Sequence, residues 1–350
     1  MQITGTDQYH AWRARDLPPV ERVRDGVWSI PIDFGHAPIR YTFCYLLANA
    51  QGRAVLVDPG GDSPLGRSQL LRGLESAGVS LESVIGIVST HRHADHLGMV
   101  AYLRAATGAW VAMHQRDATM LAEWNDYEAA IRADVALLTA LGMPDDRIRA
   151  MRMAVSDVAT LDALARPTRH LEDGELLPLE GRTVRIVTTP GHTPGHVCLV
   201  DEDQGLVFTG DHVLPRITPN IGMTSGTSSA GALADYFRSL ARISAWDAYE
   251  AAPAHEYRFR GIAARAEEIA EHHRARSREV REIVVAEGPL SVWQAAERMS
   301  WSRPWESFDG INLRAALSET GAHLDYLTEQ GDLVRPPLDG DGAQRFAAAS

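Results

Sequence analysis

Between Thr90 and His96 the chain reads Thr90-His91-Arg92-His93-Ala94-Asp95-His96, so three imidazoles and a carboxylate fall within six residues. Imidazole and carboxylate are the usual ligands of catalytic zinc where thiolates are absent. In an apolar core each of these groups would need its own polar partner, which makes a purely structural role a poor use of the set. A solvated loop that happens to hold histidines is the ordinary reading for any one of them, but not for four together at a strand end. Placed there, His91 and His93 can face one centre while Asp95 and His96 turn to a second.

Three further positions share this setting. His192 lies in Thr189-Pro190-Gly191-His192-Thr193-Pro194-Gly195-His196, Asp211 in Phe208-Thr209-Gly210-Asp211-His212, and His255 in Ala252-Pro253-Ala254-His255-Glu256. Each follows a short apolar run, so each is delivered by a strand to one edge of a sheet, where loops on a rigid scaffold gather reactive groups.

The flanking pattern supplies those strands. VWSIPI, TFCYLLAN and RAVLVDPGG between residues 26 and 61 alternate with turn signals, and VIGIVST (84–90) is a β-branched run that stops at the histidine cluster. Helical spacing marks 68–79 and 96–108, a strand follows at 109–114, and residues 169–210 return to β runs. Residues 115–165 are poor in β-branched positions and read as a helical insertion broken near Gly142-Met143-Pro144. Its apolar stripe, which includes Met120, Trp124, Ile131 and Leu138, suits a core, a substrate wall or a lid. Helices are expected over 230–249 and 261–286. Gly288-Pro289 then breaks the chain, two amphipathic helices follow, and DLVRP (332–336) suits a short wing strand. This order suggests a small winged-helix-like unit over 286–337, behind a larger domain over 1–285, with 338–350 as a frayed tail.

The composition fits an ordinary globular protein, with 350 residues, 45% apolar and 23% charged. Forty-six acidic against 34 basic side chains leave a net charge of −12, which disfavours general polyanion binding. Cys44 and Cys198 are too few for a disulfide framework or a thiolate cage. The N-terminal stretch is polar and no apolar run approaches a bilayer span, so a cytoplasmic protein with no membrane contact is the expectation.

His-x-His-x-Asp-His followed by Gly-His, Gly-Asp and a late His, in this order over about residues 26–260, resembles the metallo-β-lactamase fold superfamily, in its glyoxalase II and lactonase-like branch. The resemblance implies an α+β fold, a four-layer αββα sandwich with metals at one edge of the paired sheets. Carried over by motif, His91, His93 and His192 would bind metal 1, Asp95, His96 and His255 metal 2, and Asp211 both. The implied cofactor is two zinc ions sharing a bridging water or hydroxide, with iron or manganese as alternatives. The implied reaction is hydrolysis of a small ester, thioester or lactone, with Asp95 also a proton acceptor. Asp58 matches the family's early strand-end aspartate, which supports the site, and Thr90 is placed to orient ligands. The C-terminal unit resembles an extension found on some single-chain hydrolases of the superfamily.

Departures from relatives narrow the reading. Flavodiiron proteins place a glutamate where His93 stands, and classical β-lactamases commonly place a cysteine where Asp211 stands. Persulfide dioxygenases keep a similar pattern with one iron but usually lack the insertion and the C-terminal unit. Nucleases of the superfamily add a cap domain for which the span from Asp211 to His255 has no room. A non-catalytic protein that binds DNA or a partner through the C-terminal unit is the remaining alternative. The helix around Arg314–Tyr326 is short of basic groups, which favours packing against the hydrolase or homodimerisation over nucleic acid. Among weaker features, His212 suits either proton donation to a leaving group or a structural role, His196 and His114 suit structural ones, and His272 and His273 suit a solvated face. His36 and Tyr41, in the loop between two early strands, are candidate substrate contacts, and Arg216 suits a substrate anion or a surface ion pair.

Overall fold

The computed structural model describes residues 1–35, 39–123, 127–154, 166–222, 231–337, 340 and 342–349. The chain opens with β1 (Gln2–Ile3) and α1 (Thr6–Ala14), then builds a sheet from β2 (Glu21–Arg24), β3 (Val27–Asp33), β4 (Tyr41–Ala48) and β5 (Ala54–Val57). These four pair antiparallel in sequence order. Parallel strands then extend the sheet, and parallel neighbours need crossovers. α2 (Pro64–Ala77) leads to β6 (Val84–Val88), α3 (Ala94–Leu97) and α4 (Val100–Thr107) lead to β7 (Trp110–His114), and a longer helical excursion leads to β8 (Arg169–Leu171). α2 has a clear start and stop: Ser63 accepts from the Gly66 N–H, Pro64 takes the first turn, and Gly78 closes it in the left-handed conformation.

That excursion is α5 (Gln115–Glu123), α6 (Tyr127–Ala140) and α7 (Asp145–Ala154), with the expected break at Gly142–Pro144. The second sheet contains β9 (Val184–Thr188), β10 (Val197–Asp201) and β11 (Leu206–Gly210), then, beyond α8 (Ala232–Ile243), β12 (Glu250–Pro253) and β13 (Phe259–Arg260). Its order is β1-β13-β12-β11-β10-β9, with β11 and β12 parallel.

The two sheets face each other. On β4, Phe43, Tyr45 and Leu47 point into the cluster shared with Ile186, Leu199 and Phe208 of the second sheet, while Cys44 and Leu46 point outward to Leu70 and Leu74 of α2. The period-two alternation of a strand explains the split, and burial on both sides explains why β4 reads as a continuous apolar run. On the far side, Val187, Cys198 and Val207 meet α8 and the long helix α9 (Ile262–Glu287). The layers are therefore α, β, β, α, as the resemblance implied. Both cysteines are buried and free.

After Gly288 come β14 (Leu290–Ser291), α10 (Val292–Arg298), α11 (Gly310–Glu329), β15 (Leu333–Val334) and β16 (Arg345–Ala348), with the strands ordered β14-β16-β15. Residues 345–348 were expected to fray; instead they form the middle strand, paired on both sides. The unit's apolar cluster joins Leu290, Trp293, Leu317 and Phe346 to Val280 and Val284 of α9 and to Leu138, Met143, Ile148 and Met151 of the insertion. The apolar residues of α6, α7 and the turn between them thus complete the C-terminal core, whereas Ala118 and Leu121 of α5 pack against the outer face of the first sheet. Among the described residues no helix is long and apolar enough to cross a membrane.

Candidate metal centre

β5, β6, β9, β11 and β12 end at the same edge, and the residue runs just past them carry Asp58, the His91–His96 cluster, His192, Asp211 and His255. Sites outside the carboxyl ends of strands are a general property of such sheets. All seven expected ligands meet there. His93 Nδ1 lies 2.9 Å from His91 Nε2 and 3.1 Å from His192 Nε2. Nitrogens about 2.0 Å from a tetrahedral ion stand about 3.3 Å from one another, so the three rings are spaced as ligands of one ion. Around a second centre, His255 Nε2 is 3.4 Å from Asp95 Oδ2, which is 3.5 Å from His96 Nε2. Asp211 faces both groups: Oδ2 is 3.7 Å from His192 Nε2, and Oδ1 is 3.1 Å from His255 Nε2 and 3.5 Å from His96 Nε2.

The residues fit a metal on a specific count. Asp95 Oδ2, His96 Nε2, Asp211 Oδ1 and His255 Nε2 are buried and have no hydrogen-bond partner in the protein. Buried polar atoms are rarely left so, and these four converge.

Four of the five imidazoles are turned by a bond to the other nitrogen. Thr90 Oγ1 is 3.1 Å from His91 Nδ1, Asp58 Oδ2 is 3.0 Å from His96 Nδ1, the Asn220 carbonyl is 2.7 Å from His192 Nδ1, and the Tyr41 carbonyl is 2.9 Å from His255 Nδ1. Such contacts leave Nε2 for the ion. Asp58 reaches His96 from a left-handed backbone conformation (φ 52°), and its carboxylate also accepts from the Thr90 N–H and hydroxyl at 2.7 and 2.8 Å. His196, expected to be structural, accepts the Asp211 N–H on Nε2 at 3.2 Å and so holds the aspartate that faces both groups. Gly210 is needed beside it: at φ 50° a Cβ would stand 2.7 Å from His196 Nε2.

Electrostatics divide the seven. Burial, then the neighbouring imidazoles, push His91 and His93 well below the usual histidine range, which keeps them neutral, as ligands must be. Burial also works against charge on His96 and His255. There Asp211 and Asp95 prevail, raising His96 well above its ordinary value and His255 to about 10. Against their own burial, the pairings with His96 and His255 hold Asp95 down at about 2 and Asp211 well below the usual carboxylate range. The second group is therefore a well for positive charge.

Sequence reasoning missed Asp117. Wholly buried near the start of α5, it accepts from the Arg92 N–H at 3.0 Å, the Thr193 hydroxyl at 2.7 Å and the Gly195 N–H at 2.7 Å. One carboxylate thus ties the His91–His96 loop to the His192 turn. A Cβ on Gly195 would stand 2.6 Å from the Asp117 backbone nitrogen, so the approach itself demands glycine. An aspartate in the first turn of a helix looks like an ordinary end effect, so nothing local marked it.

The weaker candidates fall as follows. His212 is fully buried, edge-on to Tyr236, and desolvation pushes it down to about 3. The ring has no exposed surface, and both of its nitrogens are buried without a side-chain hydrogen-bond partner among the described residues. The Tyr41 hydroxyl is buried and bonded to the Glu256 carbonyl at 3.0 Å, so its side chain is not free for substrate. Arg216 extends over the Trp12 ring. His36 and Trp124 lie outside the described residues. His272 is exposed as expected, but His273 is buried against His323. His272, His273 and Glu319 also bring donor atoms within 4.8 Å of one another. Arg276 stands 3.6 Å from Glu319, and its guanidinium competes with any cation there.

With this geometry in place, the model of the metallo-beta-lactamase superfamily matches residues 37–255. The chain belongs to the metallo-beta-lactamase superfamily. It is 27% identical over 279 residues to the probable metallo-hydrolase YqjP of Bacillus subtilis, across 78% of this chain and 83% of that protein. The metallo-beta-lactamase family protein TTHA1429 of Thermus thermophilus superposes with a TM-score of 0.76 at 28% identity, covering 93% of this chain and all of that one. Hydroxyacylglutathione hydrolase GloC of Haemophilus influenzae is 27% identical over 168 residues, 48% of this chain and 65% of that protein. These relatives and the ligand clusters support a metal-dependent hydrolase.

Proposed function

We propose that this superfamily member is a dinuclear zinc hydrolase that cleaves a small ester, thioester or lactone. The observation that carries the reading is Asp211, whose two oxygens face two separate groups of three ligands. Two zinc ions held there would polarise the scissile carbonyl and lower the pKa of an attacking water. The remaining work belongs to the chain. His91, His93 and His192 form a face of neutral nitrogens, and Asp95, His96 and His255 form one that carries carboxylate charge. Asp95 is the side chain we assign to take the proton from water. Thr90, Asp58, Asn220 and Tyr41 fix the rings, which holds the ligands in place before substrate arrives. The similarity to GloC supports a thioester within the substrate range. Arg314, a basic side chain on α11, is paired with Asp134 at 2.6 and 2.7 Å, which supports a small-molecule substrate over nucleic acid.

The test is metal-stripped protein reloaded with zinc and assayed on acyl thioesters, lactones and aryl esters. Two equivalents of zinc restore hydrolysis, and His91→Ala and Asp211→Ala do not recover. Full turnover by either variant, or activity that requires one iron and consumes dioxygen, overturns the proposal.

A further inference from the structure

We infer that Asn220 is a positioning residue for the metal ligand His192 and that α11 of the C-terminal unit sets it, so this unit is a working part of the metal centre. The inference rests on the reading of the strand-end edge as a metal site. His91, His96 and His255 take their orienting bonds from Thr90, Asp58 and Tyr41, which lie within or just past strands of the first sheet. His192 takes its bond from the Asn220 carbonyl, in the segment that leaves the sandwich after Asp211.

That segment is held at two places. In its first half, Arg265 donates to the carbonyls of Leu214, Arg216 and Ile217 at 2.8–3.2 Å, and Glu256 accepts the N–H groups of Arg216 and Ile217 at 2.8 and 3.2 Å. These anchors belong to the hydrolase body. In its second half two anchors belong to α11: Asn220 Nδ2 donates to the Ala315 carbonyl at 2.8 Å, and the Ser318 hydroxyl donates to the Ile221 carbonyl at 3.4 Å; the Gly222 N–H makes a longer bond, at 3.4 Å, back to the Gly191 carbonyl of the His192 turn. The Ala315 oxygen can only accept, which fixes the amide with its nitrogen toward the helix.

Asn220 therefore has one end on a ligand and the other on the C-terminal unit. α11 in turn is fixed to the insertion by the Arg314–Asp134 pair. The bond to His192 is 2.7 Å long, and a shift of about 1 Å would take it past useful hydrogen-bond range. Without its acceptor, Nδ1–H no longer dictates which nitrogen faces the ion or how the ring is turned. Losing such a partner typically weakens metal binding about 10–100-fold.

The experiment uses the metal-stripped full-length chain, with zinc affinity read by competition against a chromophoric chelator. Asn220→Asp keeps size and shape but sets a carboxylate oxygen against the Ala315 carbonyl, and Asn220→Ala removes the tether while keeping the backbone acceptor. Asn220→Asp is expected to weaken one zinc site about 10–100-fold, with Asn220→Ala at the lower end of that range. The unfolding midpoint of the stripped protein should move little. In a His192→Ala background the Asn220 substitutions should add no further loss, because their effect passes through that ring. Affinity within twofold of wild type in both variants, or an equal loss in the His192→Ala background, overturns the inference and leaves the metal reading standing. A wild-type chain that binds no divalent ion at all overturns both.

Discussion

Two regions of the molecule bury clustered histidines, and they do so differently. At the strand-end edge, His96 and His255 face Asp95 and Asp211, and the facing atoms lack partners. At the seam between α9 and α11, His273 Nδ1 lies 3.4 Å from His323 Nε2, and His323 Nδ1 lies 2.8 Å from the Ser277 hydroxyl. There burial, followed by the positive charge of Arg276 and other imidazoles, keeps both rings neutral. Burial alone pushes imidazoles the same way in both places. The carboxylates make the difference: at the edge they turn the cluster into a seat for cations, whereas the carboxylate at the seam, Glu319, is pushed up by burial and paired with Arg276, which leaves that cluster as packed core.

The sharpest way to break this contrast is to remove a group from each side. Asp211→Ala should lower turnover by more than about a hundredfold, beyond the loss typical of an outer partner, and reduce bound metal per chain. A His273→Gln, His323→Gln double variant should keep the wild-type metal content, measured by elemental analysis. Metal loss from the seam variant would show that the two clusters are not distinct in kind.

A smaller effect separates ligands from the frame that aligns them. Asp117→Ala leaves two buried donors, the Thr193 hydroxyl and the Gly195 N–H, and the half-buried Arg92 N–H facing a void. It should cost about 3 kcal/mol in denaturant unfolding of the stripped protein, and weaken metal binding about 10–100-fold through the two loops it joins. Asp117→Asn keeps one acceptor and should fall between the variant and wild type. Unchanged metal affinity in Asp117→Ala would mean that the loops hold their spacing unaided.

How much of this could be read beforehand follows from the range of the interactions. The ligands were legible because each is a polar residue at the end of an apolar run, and both features are local. Asp58 was legible from its strand-end position together with the resemblance. Asp117 was not, since its partners Arg92, Thr193 and Gly195 are distant in sequence. The dual use of Asn220 was hidden for the same reason, as it depends on how α11 docks. The tail was misread because Gly and Asp around residue 340 suggest fraying, whereas Phe346 is buried in the C-terminal cluster and draws β16 between β14 and β15. His273 was misread because Arg and Glu surround it along the helix, while α11 covers it from elsewhere. Alternation and helical period report which faces are apolar; they do not report which long-range partner covers them.

The smallest expected effect probes the neutral cluster by pH. His273 is pushed down to about 3, first by burial and then by His272 and Arg276, and His323 also sits well below its ordinary value. Tyr236, Phe237 and Glu319 are the other neighbours on the packed helices. Because the folded protein resists protonation at His273 and the unfolded chain does not, this group's contribution is fully present above about pH 6.5 and is lost as pH falls toward about 3. Each such histidine adds a slope of up to about 1.4 kcal/mol per pH unit in that window. Urea unfolding of the stripped protein between pH 7 and pH 5 should show a shallower acid loss for His273→Gln than for wild type. The edge histidines titrate in both proteins, so the difference between the two curves isolates the seam. Parallel curves would mean that His273 is protonated in the folded state, with the Glu319 carboxylate outweighing burial and Arg276.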